Sequence, residues 1–198
     1  KSDWEDILRL SSRQGVLAIV WSSLHQLITE GKLTPDQLPD RALKLQCALS
    51  VENIERRYRK QAGLAQKLAE IYDKKGIKTI VLKGLAISGY YPVPEHRECG
   101  DLDCFLVKAD TQRGDAIAIN ADGRPVSCYD EGNKVAKEAG AEVKIGFYKH
   151  SHINYKGLMV ENHAFCTAIR GSRNRKALER HLQHLLATKP NTPIEGTH

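Results

Sequence analysis

The sequence predicts an α+β protein, a mixed β-sheet flanked by helices and preceded by a helical N-terminal region. Three observations carry this. Apolar residues recur at helical spacing through roughly the first 70 residues. From residue 77 onward, short β-rich runs alternate with turn signals. A last amphipathic helical pattern follows them. No repeat, low-complexity tract or Pro/Gly/Ser-rich linker divides the chain. The expected organisation is a helical region over residues 1–70 packed on the core, an α/β core over 71–187, and a flexible tail over 188–198.

The elements follow in order. "DWEDILRLSSRQGVLAIVWSSLHQLITEGK" places Leu8, Leu10, Val16, Ile19, Val20, Leu24, Leu27 and Ile28 at helical spacing, and Gly31 closes that helix. Thr34, Pro35 and Gln37 are a helix start: N-cap, first-turn proline and capping-box partner. A long helix is expected over residues 39–75 on the line Leu43, Cys47, Val51, Ile54, Tyr58, Leu64, Leu68 and Ile71, with a bend near residues 50–53 and a stop at Gly76. "IKTIVL" and "DLDCFLV" are strands. "DAIAIN" and "RPVSCY" flank Ala121-Asp122-Gly123 as a hairpin. "DEGNKVAKEAG" is a short helix ending at Gly140. "EVKIGFY" and "HINYKGLMVENH" are strands, the second turning at Lys156-Gly157. Ser172 caps the last helix, "RNRKALERHLQHLLA", and Pro190 ends it.

The formal charge of +6 and pI near 9.0 favour anionic partners such as nucleotides, nucleic acid or phosphorylated substrates. Five cysteines, an odd count without a CxxC pair, argue against a disulfide framework and for a reducing cytoplasm. No signal peptide is visible, and the longest apolar stretch, "GVLAIVWSSLHQLI", is too short and polar to span a membrane. The chain begins at Lys1 rather than Met, as a trimmed or partial chain does.

The chemistry concentrates in "VLKGLAISGYYPVPEHRECGDLDCFLV". Side chains at i and i+2 of a strand share a face, so Asp101 and Asp103 are expected side by side, with Leu102 and Cys104 turned away. Two such carboxylates repel unless a cation lies between them. Mg²⁺ prefers carboxylate oxygens and bridges to substrate phosphates, and a pair of such ions serves in-line attack at phosphorus. An isolated D-x-D is more often a solvated strand start. Its company changes that. Upstream a strand ends in Lys83-Gly84, and Gly at a strand-to-helix turn lets backbone N–H groups approach a phosphate. Downstream "LMVENH" sets a third acid, Glu161, in another apolar strand.

On these residues the chain resembles the DNA polymerase β-like nucleotidyltransferase superfamily. The nearer likeness is to a group of bacterial nucleotidyltransferase-like proteins with an LKG turn, an R-x-x-G-D-x-D strand and a V-E-x-H strand. Here these are Leu82-Lys83-Gly84, residues 97–103, and residues 160–163. The resemblance implies a nucleotidyltransferase-type sheet and an enzyme that moves a nucleoside monophosphate from an NTP donor, such as ATP, to an acceptor hydroxyl, with pyrophosphate leaving. Asp101 and Asp103 would hold the Mg²⁺ carrying the triphosphate. Glu161 would complete a second Mg²⁺ position and help activate the acceptor. Gly84 would hold the β- and γ-phosphates, Lys83 would contact phosphate, and Arg97 would contact phosphate or pair with the acids. The acceptor could be a small molecule, a protein or RNA. Leu85 stands where the superfamily carries a small residue, and residues 90–98 form an extended loop before the acids. A non-catalytic nucleotide- or nucleic-acid-binding module of the same fold is the alternative, and a toxin–antitoxin component is a third reading.

Other residues are weighed against blander roles. His96, Cys99 and Cys104 match no strong zinc spacing. His150 and His152 alternate at a strand start and are expected as exposed polar alternation. His163, two residues after Glu161, is either a neighbour of the site or a hydrogen-bonded structural histidine. His163 with Cys166 as a nucleophile pair lacks an orienting acid. Arg170, Arg173, Arg175 and Lys176 are expected as a solvated face, with phosphate binding as the other reading. Trp4 and Trp21 are packing residues.

Overall fold

The computed structural model of the chain describes residues 3–112, 116–146, 148–167, 173–189 and 192–194. Its two units are residues 1–61 with 87–99, and residues 62–86 with 100–198.

In the first unit Asp3 caps α1 (Trp4–Arg13), its side chain accepting from the Asp6 N–H. The single helix expected over the N-terminal run is two. α1 ends at Gly15, whose φ of 67° is left-handed, and α2 (Leu17–Thr29) begins beyond it. The N–H of Val16 bonds Ser11 O and that of Gly15 bonds Ser12 O, the paired closure of a Schellman motif. The apolar run continues through the break because both helices present apolar faces to one core. That core holds Leu8, Leu17, Ala18, Trp21, Leu24, Cys47, Val51 and Ile54. Gly31 closes α2 by the same pattern, Lys32 N–H to Leu27 O and Gly31 N–H to Ile28 O. The capping box at Thr34 opens a single 3₁₀ turn, Pro35–Gln37, rather than a longer helix. α3 (Arg41–Asp73) follows, 33 residues of unbroken helix that continues through residues 50–53.

The second unit is built on a five-stranded sheet in the order β1-β2-β5-β4-β3. Its strands are β1 (Ile77–Val81), β2 (Leu102–Lys108), β3 (Glu142–Lys144), β4 (His150–Tyr155) and β5 (Leu158–His163). β2 pairs antiparallel with β1 and parallel with β5, and β5–β4–β3 are antiparallel. The sheet is thus mixed and flanked by helices, as the sequence predicts. Leu102 to Val107 are all buried, which is what a central strand covered on both faces requires. β3 is shorter than expected. It stops at Lys144, and Gly146 has a φ of 140°.

The β4–β5 hairpin turns at Lys156 and Gly157, with φ of 52° and 87°. Positive φ at both central residues makes the two-residue turn that matches strand twist. Residues 116–127 form a hairpin-like arm of isolated bridges, Ala109 to Ile117, Ile119 to Pro125 and Val107 to Ser127. Gly123 takes the left-handed position at its tip.

α5 (Tyr129–Glu138) lies on one face of the sheet, and Gly140 follows it in left-handed conformation. Gly132 permits the close approach, because a Cβ there would meet Leu106 Cδ1 at 2.2 Å. α6 (Arg173–Thr188) is the last helix. Its expected cap Ser172, the Pro190 stop and Phe147 lie outside the described residues.

Candidate active site

β1 leads into the Leu82-Lys83-Gly84 turn. Leu82 N–H bonds Asp103 O, which ties the turn to β2. Gly84 has a φ of 66°, a conformation that costs an L-residue about 1–2 kcal/mol. The four-residue helix α4 (Leu85–Ser88) begins directly after it. Lys83 leaves the turn toward the sheet, and its Nζ stands 2.9 Å from Asp103 Oδ2.

Strand register brings the acids together. Asp103 on β2 is opposite Glu161 on β5, and Glu161 is opposite His152 on β4. Asp101 lies one residue before the strand rather than within it. One carboxylate oxygen each from Asp101, Asp103 and Glu161 falls within 4.8 Å of the others. Asp103 is 1% exposed, while Asp101 and Glu161 are half-buried. Asp103 Oδ2 is answered by the Lys83 ammonium. An acid triad with one buried member suits a hard divalent cation such as Mg²⁺.

The electrostatics agree with an ionised centre. Burial pushes the Asp103 carboxyl up, but Lys83 and His163 outweigh it and hold the group below the ordinary carboxylate range. The contact to Asp103 is the main cause that holds the Lys83 ammonium above its ordinary value, against partial burial, with Asp101 and Glu161 adding their charges.

Histidines complete this face. His163 Nε2 lies 3.0 Å from Asp103 Oδ1 and 3.4 Å from Glu161 Oε2, so it is a neighbour of the acids. His150 and His152 are not the exposed alternation expected of them. His150 Nδ1 is 3.4 Å from Glu161 Oε2, and His152 Nε2 is 3.5 Å from Glu161 Oε1. Burial moves His150 below the ordinary imidazole value, more than Glu161 raises it. The signal was in the two-residue turn. A turn at Lys156-Gly157 sets His150 opposite His163 and His152 opposite Glu161.

The opposite face of the same strands is tied to α5. Asn133 Oδ1 accepts from Ser151 Oγ at 2.6 Å and from Asn162 Nδ2 at 3.0 Å, and Asn162 Nδ2 also reaches Tyr129 O. All three side chains are buried. Asn162 sits between Glu161 and His163, so this network fixes the strand that carries both.

Arg97 belongs to the first unit, where its Nη1 donates to Glu98 O and Cys99 Sγ. His96 is a structural histidine there, its ring nitrogens 2.9 Å from Ser22 Oγ and 3.0 Å from Glu55 Oε1. All five cysteines are free. Burial pushes the Cys166 thiol up to about 12, with Glu179 adding to it, so it supplies no thiolate nucleophile at neutral pH.

Lys176 is exposed, as expected of a solvated face, and Arg175 is half-buried. With Arg124, Arg180, Glu179, Thr167, Tyr148 and Phe165 they line a cleft of about 380 Å³. Arg124 and Arg180 also line one of about 520 Å³ with Asp122, His181 and His184. The Tyr148 and Phe165 rings stack at 5.8 Å, and the Arg175 guanidinium lies over Tyr148 and donates to its hydroxyl. Arg170 and the Arg173 side chain are outside the described residues.

Among the described residues no helix is long and apolar enough to cross a membrane. A family model described as uncharacterised nucleotidyltransferase matches residues 1–196. No curated protein and no solved structure matches the chain.

Proposed function

The chain belongs to the uncharacterised nucleotidyltransferase family, and from that premise we propose that it moves a nucleoside monophosphate from an NTP to an acceptor hydroxyl. The acceptor oxygen bonds the α-phosphorus, the bond from that phosphorus to the β-bridging oxygen breaks, and pyrophosphate leaves. The observation that carries the reading is the meeting of Asp101, Asp103 and Glu161 on one sheet face, beside the Gly84 turn.

Asp101 and Asp103 would hold the Mg²⁺ that carries the triphosphate, and Glu161 would complete the position of a second ion. Mg²⁺ held there would supply charge neutralisation at the phosphates. The protein's own groups do the rest. Asp103 stays ionised because Lys83 and His163 face it. Lys83 is 56% exposed at its side chain, so its ammonium is free to turn toward a phosphate as a mobile point charge. Gly84 keeps the turn open to backbone approach. Glu161 takes the proton of the acceptor hydroxyl.

A second reading is a nucleotide- or nucleic-acid-binding module of this fold without transfer. One observation favours it, the cleft where Arg124, Arg175, Lys176 and Arg180 outnumber Glu179 beside a stacked aromatic pair; basic groups with stacking rings grip phosphates and bases of single strands. Incubation with α-labelled NTPs and Mg²⁺ separates the two, using small hydroxylated molecules, proteins and RNA as acceptors. The expected result is label transfer with stoichiometric pyrophosphate, abolished by EDTA. Tight binding of a single-stranded oligonucleotide with no pyrophosphate from any NTP establishes the second reading.

A further inference from the structure

A second set of donors stands beside the carboxylates. One donor atom each from His150, Glu161 and His163 lies within 4.8 Å of the others. Mg²⁺ takes oxygen ligands, so the imidazole nitrogens of His150 and His163 are not themselves Mg²⁺ ligands. We propose that His150, Glu161 and His163 form a nitrogen-containing ion position that binds a first-row transition ion such as Co²⁺, Zn²⁺ or Mn²⁺. This concerns ion binding alone and stands whether or not the chain transfers nucleotides.

The two imidazole contacts to Glu161 fit coordination better than hydrogen bonding. Glu161 Oε2 is 3.4 Å from His150 Nδ1 and 3.4 Å from His163 Nε2. Hydrogen bonds to nitrogen centre near 2.9–3.0 Å. Two ligands on one tetrahedral ion, each bonded at about 2.05 Å, lie about 3.4 Å apart.

The proton inventory points the same way. His163 Nδ1 faces Phe165 O at 3.3 Å, and its Nε2 faces the carboxylates of Asp103 and Glu161. Acceptors therefore flank both ring nitrogens, and a neutral imidazole has one N–H. Nε2 contacts Asp103 Oδ1 at 3.0 Å; an ion would take that nitrogen in place of the hydrogen bond, with Nδ1 donating to the carbonyl, the usual support of a metal-binding histidine. His150 Nε2 lies 3.0 Å from His152 Nε2, and its Nδ1 faces Glu161 Oε2 at 3.4 Å. Imidazole with one carboxylate is a donor set that suits transition ions over Mg²⁺.

The test uses the full chain, stripped with EDTA and dialysed. CoCl₂ is titrated in and followed by ligand-field absorption, and ZnCl₂ by calorimetry, in wild type, His150→Gln, His163→Gln and His25→Gln, the last an exposed histidine outside the cluster. Circular dichroism melting confirms that each variant is folded. Only 12% of the His150 side chain is exposed, yet it lies at a strand end, so Gln there keeps the sheet, and this variant is decisive if His163→Gln unfolds. Loss of a ligand should weaken Co²⁺ binding about tenfold or more in His150→Gln and leave His25→Gln within about threefold of wild type. Excess Mg²⁺ should not displace the Co²⁺. Absent Co²⁺ and Zn²⁺ binding, unchanged affinity in His150→Gln, or equal loss in His25→Gln each overturns the proposal.

Discussion

Replacing Asp103 by Asn lowers Mg²⁺-dependent transfer by about 10²–10³-fold, the range seen when one preorganised electrostatic contact is removed from a reacting centre. Asp103 is where the site's charges converge. It is 1% exposed, Lys83 lies on one oxygen and His163 on the other, and Glu161 is opposite it in the sheet. Asn keeps the shape of the side chain and loses the charge. The same variant changes how stability depends on pH. The folded protein holds the Asp103 carboxyl below its ordinary value of about 4, so the folded state binds fewer protons there than the unfolded one. Its contribution is fully present above pH ~4 and is lost as pH falls through the lower folded value. The Lys83 side of the pair runs oppositely, present below pH ~10 and lost above the raised folded value. Urea midpoints measured from pH 7 down to pH 3 should fall more steeply for wild type than for Asp103→Asn. Parallel curves would show that the Lys83–Asp103–His163 contacts do not shape the folded carboxylate.

Replacing Asn133 by Ala lowers stability by about 2–6 kcal/mol, because two buried donors lose their acceptor at about 1–3 kcal/mol each. Ser151 Oγ and Asn162 Nδ2 both donate to Asn133 Oδ1. Ser151 and Asn162 are each 0% exposed, so water does not replace the lost contact without opening the sheet. Thermal melting reads this as a drop of roughly 4–24 °C for a protein of this size. The effect reaches the site through β5. Asn162 lies between Glu161 and His163, and loosening it raises the metal concentration needed for half-maximal transfer. A shift of under about 1 kcal/mol, the scale of a surface change, would show that the network is not what holds β5 to α5.

How much was legible follows from which physical signals are local. The strands that carry Asp103 and Glu161 could be read because an apolar context is a property of short runs, whereas Asp101, expected on the strand by alternation, lies one residue before it. The β4–β5 hairpin was legible from Lys156-Gly157, since few sequences other than a tight turn fit between two such strands. The histidine pair was missed although that same turn fixes its register. His150 and His152 were judged from alternation on one strand, and their burial is decided by what β5 sets opposite them. The first two helices were read as one because Gly15 sits inside an uninterrupted apolar pattern, and periodicity does not report a change of axis. Lys83 was expected at a phosphate, and its partner in the folded chain is Asp103, a contact that depends on the β1–β2 pairing. The cleft at Arg175 and Lys176 joins residues from the hairpin arm, the β4 and β5 ends and α6, which no local pattern connects.

The most direct test of the account is thermal melting with each NTP, with and without Mg²⁺, in wild type and in Asp101→Asn. A ligand that binds only the folded state raises the midpoint by mass action. The account predicts a rise with at least one NTP that requires Mg²⁺ and disappears in the variant, with the apo midpoint of the variant close to wild type. A rise of equal size in EDTA, or one that survives in Asp101→Asn, would contradict the assignment of the acids as the seat of the metal and its nucleotide.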